Sequence, residues 1–341
     1  MKSKPIFVTG GTGFLGSYLL RYLVKNAYQN IRALKRENSS LALVEEVQDR
    51  IDWIEGDLLD VGSLEMGMDG VSQVYHCGAI VSFDKKEVKK MMRVNVEGTA
   101  NIVNIALAFG IEKLVHISSI AALGRIKDQE KVNEDTAWQR NNANSNYAIS
   151  KYLAEQEVWR GIAEGLPAAI LNPAVIIGSG FWDVGTAQMF QQVWKGLRFY
   201  PIGSSGFVDV RDVAKMAIKL MESDQLAERF IVNNKNLNYL EFFSEVAKKL
   251  NKKAPDIKVT PLMRGLAWRL DWLRCKLTGG KHVITKETAN LVSNSYYYEN
   301  KKSIETFDYK YIPFEKTLSD ITDQFIESKK QEKDYDFMSL A

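Results

Sequence analysis

The sequence predicts an α/β protein, a doubly wound parallel sheet with a smaller mixed C-terminal lobe. Three observations carry the prediction. Short β-rich apolar runs alternate with helix-like periodicity from the first residues onward. Two runs, "KLVHIS" and "AAILNPAVII", are nearly continuous in apolar character, as strands buried on both faces are. The first run ends at a bare turn, "TGGTGFLG", and a helical pattern follows it at once.

The elements follow in order. "PIFVTG" is a short strand. After it Phe14, Leu15, Leu19, Leu20, Leu23 and Val24 recur at helical spacing through residues 14–25. "NIRALKR", "RIDWIEGD" and "SQVYHCGA" read as the next strands, a long helical stretch is expected over about 86–110, and "KLVHISS" is the fifth strand. Residues 125–146 are polar without periodicity and read as a loop, leading to a helix over about 145–165. "PAAILNPAVIIG" follows. Gly178, Gly180, Gly185, Gly203 and Gly206 then mark loops around a helix near 186–197, and "FVDVRDVAKMAIKLME" returns to helix. The expected division is a nucleotide-binding core over 1–180, rejoined by 207–235. A substrate lobe takes 181–206 and 236–330. The lysine-rich end "ESKKQEKDYD" leads into a frayed tail over 331–341. No internal repeat is visible.

Bulk composition narrows the function. Of 341 residues 45% are hydrophobic and 26% charged, ordinary values for a chain with a sizeable core. A net charge of +3 gives no footprint for nucleic acid. Two cysteines and three scattered histidines form neither a disulfide framework nor a metal site, so the expected location is the reducing cytoplasm. No signal peptide and no apolar run of membrane-spanning length is present.

The glycine turn carries the first chemistry. Gly10, Gly13 and Gly16 follow a strand and open a helix. Gly10 suits the tight turn, Gly13 lets backbone approach a pyrophosphate, and Gly16 lets helix and strand pack closely. The helix N-terminus adds unpaired N–H groups for phosphate. A plain glycine-rich turn is the alternative; its place after the first strand of an alternating pattern favours the NAD(P)-binding Rossmann fold. The second strand ends in Lys35 and Arg36, which suit a 2′-phosphate and favour NADP; Glu37 keeps NAD open with a one-residue shift. In "EGDLLD", Asp57 is placed to accept from an adenine amino group, or to cap a helix, and Leu58 to pack on the ring.

The second chemistry is acid–base. Tyr147 and Lys151 stand at i and i+4 on one helix face. A free phenol is a poor acid or base near neutrality, and a neighbouring ammonium is expected to lower its pKa. Ser119, at the end of the "HISS" strand, is placed to hold a substrate oxygen.

With these residues the chain resembles the extended short-chain dehydrogenase/reductase superfamily. "TGGTGFLG" is similar to its nucleotide motif, which adds Thr12, Phe14 and Leu15 to the cofactor contacts. Ser119, Tyr147 and Lys151 match its catalytic triad. The resemblance implies that Asn95 in "VNVEGT" supports a proton-relay water; a plain polar helix residue is the alternative. It also implies that Gly78 and Ala79 in "HCGAIVSF" line the cofactor, and that Pro173 and Val175 in "LNPAVIIG" lie under the nicotinamide. The likeness covers about residues 4–250 and is loose beyond. "SSIAALG" offers no acid for dehydration, and "IRALKR", "SSIAALG" and "YAISKYLAEQEVW" look most like the dihydroflavonol 4-reductase and 3β-hydroxysteroid dehydrogenase branch. The implied activity is an NADP-dependent interconversion of carbonyl and alcohol on a hydrophobic ketone or aldehyde. Nucleotide-sugar epimerisation, or NADP sensing without turnover, are the alternatives.

Downstream, "PLMRGLAWRLDWLRCKL" over 261–277 carries a leucine stripe and Arg264, Trp268 and Trp272 on another face. It reads as an internally packed helix of the substrate lobe. A membrane-surface or lipid contact and a homodimer contact are the alternatives. Phe83, Phe181, Trp182, Phe190, Trp194 and Tyr200 fall where the family builds its substrate pocket, and core packing explains most of them equally well.

Overall fold

The computed structural model describes residues 2–124, 131–139, 144–260, 263, 265, 269, 287 and 294–340. The first half winds as β1 (Ile6–Thr9), α1 (Phe14–Lys25), β2 (Ile31–Lys35), β3 (Asp52–Glu55), α2 (Val61–Met68) and β4 (Gln73–His76). It continues through α3 (Val88–Met92), α4 (Gly98–Ala108), β5 (Lys113–Ile117), β6 (Lys131–Val132), α5 (Asn146–Ala163) and β7 (Ala168–Pro173). After it come β8 (Val175–Ile177), α6 (Gln188–Trp194), β9 (Phe199–Tyr200), β10 (Ser204–Asp209), α7 (Val210–Glu222) and β11 (Arg229–Val232). The last described elements are β12 (Lys235–Asn238), α8 (Tyr239–Lys249), β13 (Ile257–Lys258), β14 (Tyr297–Tyr298), α9 (Lys301–Phe307) and α10 (Phe314–Lys330).

Seven parallel strands form the main sheet in the order β11-β7-β5-β4-β1-β2-β3. The winding reverses between β1 and β4, and in such sheets ligands bind beyond the carboxyl ends of the strands at that reversal. Strand alternation feeds two layers. Ile6 and Val8 of β1 join α1 and α7 on one face, while Phe7 joins Leu64, Met68 and Ile102 of α2 and α4 on the other. β8, β10 and β12 make a separate small sheet, with β10 parallel to β8 and antiparallel to β12. The chain thus leaves the main sheet at Pro173 and re-enters it at β11. Among the described residues no helix is long and apolar enough to cross a membrane.

The helical stretch expected over 86–110 is present over Lys85–Ala108 and holds a widened turn: a 3-10 turn at Lys85–Glu87, then α3, a π-turn at Arg93–Glu97, and α4. The wide turn carries Asn95 inward to hydrogen bonds with Ile80 and Ser150, and such insertions cluster at functional sites. The tail expected to fray is docked. Trp182 N–H donates to Asp334 O at 3.0 Å, and Asp336 N–H to Gly180 O at 3.2 Å. Met338, 1% exposed, donates its N–H to the Tyr18 hydroxyl at 2.7 Å, and the Arg21 guanidinium lies 4.1 Å from the Phe337 ring centroid. The charged run hides three apolar residues that follow it, Phe337, Met338 and Leu340, and these pack against the core.

Candidate active site

The glycine turn is a bare cradle. Gly10 adopts φ +71°, and a Cβ there would stand 2.8 Å from the Cys77 and Gly78 backbone. A Cβ on Gly16 would stand 2.1 Å from Gly10 O, so only glycine lets α1 sit this close to the turn. Gly13 donates to Gly10 O at 3.0 Å and caps α1 without a side-chain bond, leaving the first-turn N–H groups to a ligand. Thr12 and Leu15 are half-buried beside it, and the Phe14 ring packs on Gly178 and Gly180. Shape and donor set both fit a dinucleotide pyrophosphate.

At the end of β2 the two basic residues part company. Lys35 pairs with Glu55 of β3 at 3.2 Å. Arg36 is exposed, and among the described residues its guanidinium has no partner; its backbone N–H donates to Ser39 Oγ at 3.2 Å. Asp57 Oδ1 accepts from Leu59 N–H at 3.0 Å, fixing the turn after β3. Leu58 is buried, in the space left by Gly98 and Gly78. Gly78 donates its N–H to Thr9 Oγ1 at 3.1 Å, and Ala79 beyond it is exposed. Pro173 closes β7, buried, and Val175 opens β8, half-buried.

Ser119, Tyr147 and Lys151 come together beyond β5. Ser119 caps the 3-10 turn at Ile120–Ala122, its Oγ accepting from Ala121 N–H at 3.1 Å, and hydrogen-bonds the Tyr147 phenol. Ser145 caps α5 by accepting from Ala148 N–H at 3.0 Å, which starts the helix at Asn146, one residue before the tyrosine. Lys151, 3% exposed, donates to Ile117 O at 2.9 Å. The Phe83 ring meets Tyr147 edge-on with centroids 5.8 Å apart. Burial pushes the Tyr147 phenol above its ordinary pKa, and the Ser119 hydrogen bond pulls it back. The lowering expected from Lys151 is therefore not what the structure shows, because burial dominates and Ser119 opposes it. Burial also brings the Lys151 ammonium down to about 8, against the Glu155 and Cys77 charges.

Asn95 is a clamp. Its Oδ1 accepts from Ile80 N–H at 2.7 Å, and its Nδ2 donates to Ile80 O at 2.9 Å and Ser150 Oγ at 3.0 Å. These bonds tie the π-turn to the "HCGAIVSF" segment and to α5, and so fix the place of the residue expected to support a relay water.

Sequence reasoning missed two buried groups. Thr99 Oγ1 donates to Asn95 O at 2.6 Å, so it accepts from His76 Nε2, 2.9 Å away. His76 Nδ1 then accepts from Thr9 Oγ1 at 2.7 Å, and a chain of hydrogen bonds joins the glycine turn to the π-turn. Burial holds His76 down to about 3, so the ring stays neutral. Glu155, 1% exposed, is the other. Its carboxylate accepts from Ser118 Oγ at 2.6 Å, Asn172 Nδ2 at 2.8 Å, Trp159 Nε1 at 3.3 Å and Arg229 Nη1 at 3.0 Å. Asn172 Nδ2 also donates to Ser119 O at 3.1 Å. The one signal for Glu155 in the sequence is its place four residues beyond Lys151 in "KYLAE".

The aromatic residues divide. Phe83 faces Tyr147. Trp182 and Phe190 are buried core residues, packed on Phe325 and Phe242 with centroids 4.9 and 6.2 Å apart. Trp194 also meets Phe325, and Phe181 meets Tyr335 of the docked tail. Tyr200 lies half-buried on β9. The 261–277 stripe lies outside the described residues apart from single positions. Among the described residues no cluster of three potential ligands could hold a metal.

The sequence profile of the NAD-dependent epimerase/dehydratase family matches residues 6–233. The chain belongs to this family. A putative dihydroflavonol 4-reductase from Synechocystis is 29% identical over 330 residues, covering 94% of each chain. Cinnamoyl-CoA reductase 1 from Petunia hybrida is 27% identical, covering 68% of this chain and 73% of its own. Among solved structures, that of gox2253 superposes with a TM-score of 0.82 at 28% identity, covering 95% of this chain and 98% of its own. Within the family the chain is an NAD(P)-dependent enzyme of the oxidoreductase type.

Proposed function

We propose that this protein is an NADP-dependent reductase of an apolar ketone or aldehyde. The carrying observation is the Tyr147 phenol, hydrogen-bonded to Ser119 and held above its ordinary pKa, with buried Lys151 on the next turn. A phenol held protonated is a donor, suited to a substrate oxygen that gains negative charge. Ser119 holds that oxygen and Tyr147 gives it the proton. The cradle of Gly10, Gly13 and Gly16 would hold the pyrophosphate and Lys151 the nicotinamide ribose. Arg36, exposed and without a side-chain partner among the described residues, would take the 2′-phosphate, while Lys35 is engaged by Glu55. When bound, the dinucleotide supplies the hydride. Phe83 beside the phenol supports an apolar substrate, and the relatives named as reductases support the reaction class.

A panel of aldehydes and ketones, followed by loss of NADPH absorbance, tests the proposal. At least one apolar carbonyl compound is expected to turn over with net NADPH consumption. Tyr147→Phe is expected to lower kcat by about 10²–10⁴-fold with little change in cofactor affinity. A dinucleotide that survives dialysis, with nucleotide sugars interconverted and no net NADPH consumed, would overturn it in favour of epimerisation.

A further inference from the structure

We propose that Glu155 is a positioning residue of this active site: a buried counter-charge that keeps the Lys151 ammonium charged, and an anchor for the turn carrying Ser119. The inference rests on the reading of Lys151 as the charged neighbour of Tyr147.

The geometry carries it. Tyr147, Lys151 and Glu155 recur every four residues along α5 and share one face. Lys151 has a single hydrogen-bond acceptor in its buried place, the neutral Ile117 carbonyl. A buried ammonium with only a neutral acceptor tends to release its proton. The groups facing it offer little compensation. From β4 comes neutral His76, and just beyond the strand Cys77, whose thiol burial pushes up to about 12. From β5 comes His116, driven well below its ordinary pKa by burial. From α5 itself come protonated Tyr147 and Glu155. Glu155 is the one carboxylate in this set, and its charge works against burial on the Lys151 side.

Four donors hold that carboxylate in a place only 1% exposed. Ser118 is the residue before Ser119, and the shared amide of Asn172 bonds both Glu155 and Ser119 O. One carboxylate therefore fixes the serine turn and biases the lysine. Arg229, reaching in from β11, partly offsets the Glu155 charge.

The two ion-pair partners must therefore act on Lys151 in opposite directions. The probe is the titration of Lys151 in dinucleotide-free protein, read from the NMR signal of ¹³Cε-labelled lysine and assigned by its loss in Lys151→Arg. Glu155→Gln is expected to lower the midpoint by about one pH unit. Arg229→Gln is expected to raise it, and Ser118→Ala, which keeps every charge, to leave it in place. The alkaline limb of kcat/KM should move in the same directions. A purely structural role would not move the midpoint in opposite directions. An unmoved midpoint in Glu155→Gln, or one lowered in both variants, overturns the inference. Should Glu155→Gln not fold, Arg229→Gln decides: a raised midpoint supports the inference, an unmoved or lowered one overturns it. Failure of the underlying reading shows separately, as retained turnover in Lys151→Ala.

Discussion

Gly16→Ala is the sharpest test of the dinucleotide cradle. The added methyl would stand 2.1 Å from Gly10 O, 2.7 Å from Gly10 C and 2.9 Å from Gly11 Cα. All three are backbone atoms, so no side chain can swing aside. Restoring van der Waals contact requires α1 to retreat from the turn by about 1 Å. That retreat moves the capping Gly13 and the free N–H groups away from the pyrophosphate position. A misplacement of about 1 Å at a preorganised site costs on the order of 10²-fold. NADPH affinity, measured by quenching of tryptophan fluorescence, should fall by about that factor. Gly62→Ala is the control, because its methyl would meet only Asp60 Oδ1, at 3.6 Å, on α2. It should leave affinity intact and stabilise the helix by about 0.5–1 kcal/mol. NADPH binding by Gly16→Ala equal to that of the parent protein would refute the assignment of this turn.

Three further outcomes are expected. Arg36→Ala should cut the preference for NADPH over NADH by about tenfold, measured by paired titrations, while Lys35→Ala changes it less because Glu55 engages that ammonium. Burial and the Asp209 charge push the Asp212 carboxyl up to about 7. The folded chain therefore keeps a proton that the unfolded chain loses between about pH 4 and 7, so this group's contribution to stability falls as pH rises through that window. Asp212→Asn should flatten that slope in melts at pH 5 and 7.5. Met338→Ala should destabilise by about 2–5 kcal/mol in denaturant unfolding, whereas a frayed tail would give a change within about 0.5 kcal/mol.

The sequence carried what is written locally. Alternating runs announced the main sheet, and glycines spaced three apart announced the turn, because their missing side chains answer to neighbours a few residues away. Tyr147 and Lys151 were legible because one helix turn fixes their relation. The widened turn at Arg93–Glu97 was not: helical periodicity runs on through 86–110, and the bonds Asn95 makes from it reach Ile80, across a loop. Lys35 and Arg36 looked alike until β3 brought Glu55 alongside. Glu155 gained meaning only when β7 and β11 delivered Asn172 and Arg229 to it. The tail was misread because charge in 327–336 outweighed the few apolar residues that follow.

The docked tail also orders events in time. Tyr18 receives the Met338 N–H, and Arg21 donates to Met338 O, across 320 and 317 residues. As the chain emerges from the ribosome, α1 is made early, yet these partners follow more than 300 residues later. A Cβ on Gly178 would touch both Met338 and Phe14, so the same late residues abut the wall beside the glycine cradle. The nascent first half can form its strands, but α1 lacks these contacts until residues 337–338 arrive. A product truncated before residue 337 carries the glycine motif without the Met338 contacts behind α1.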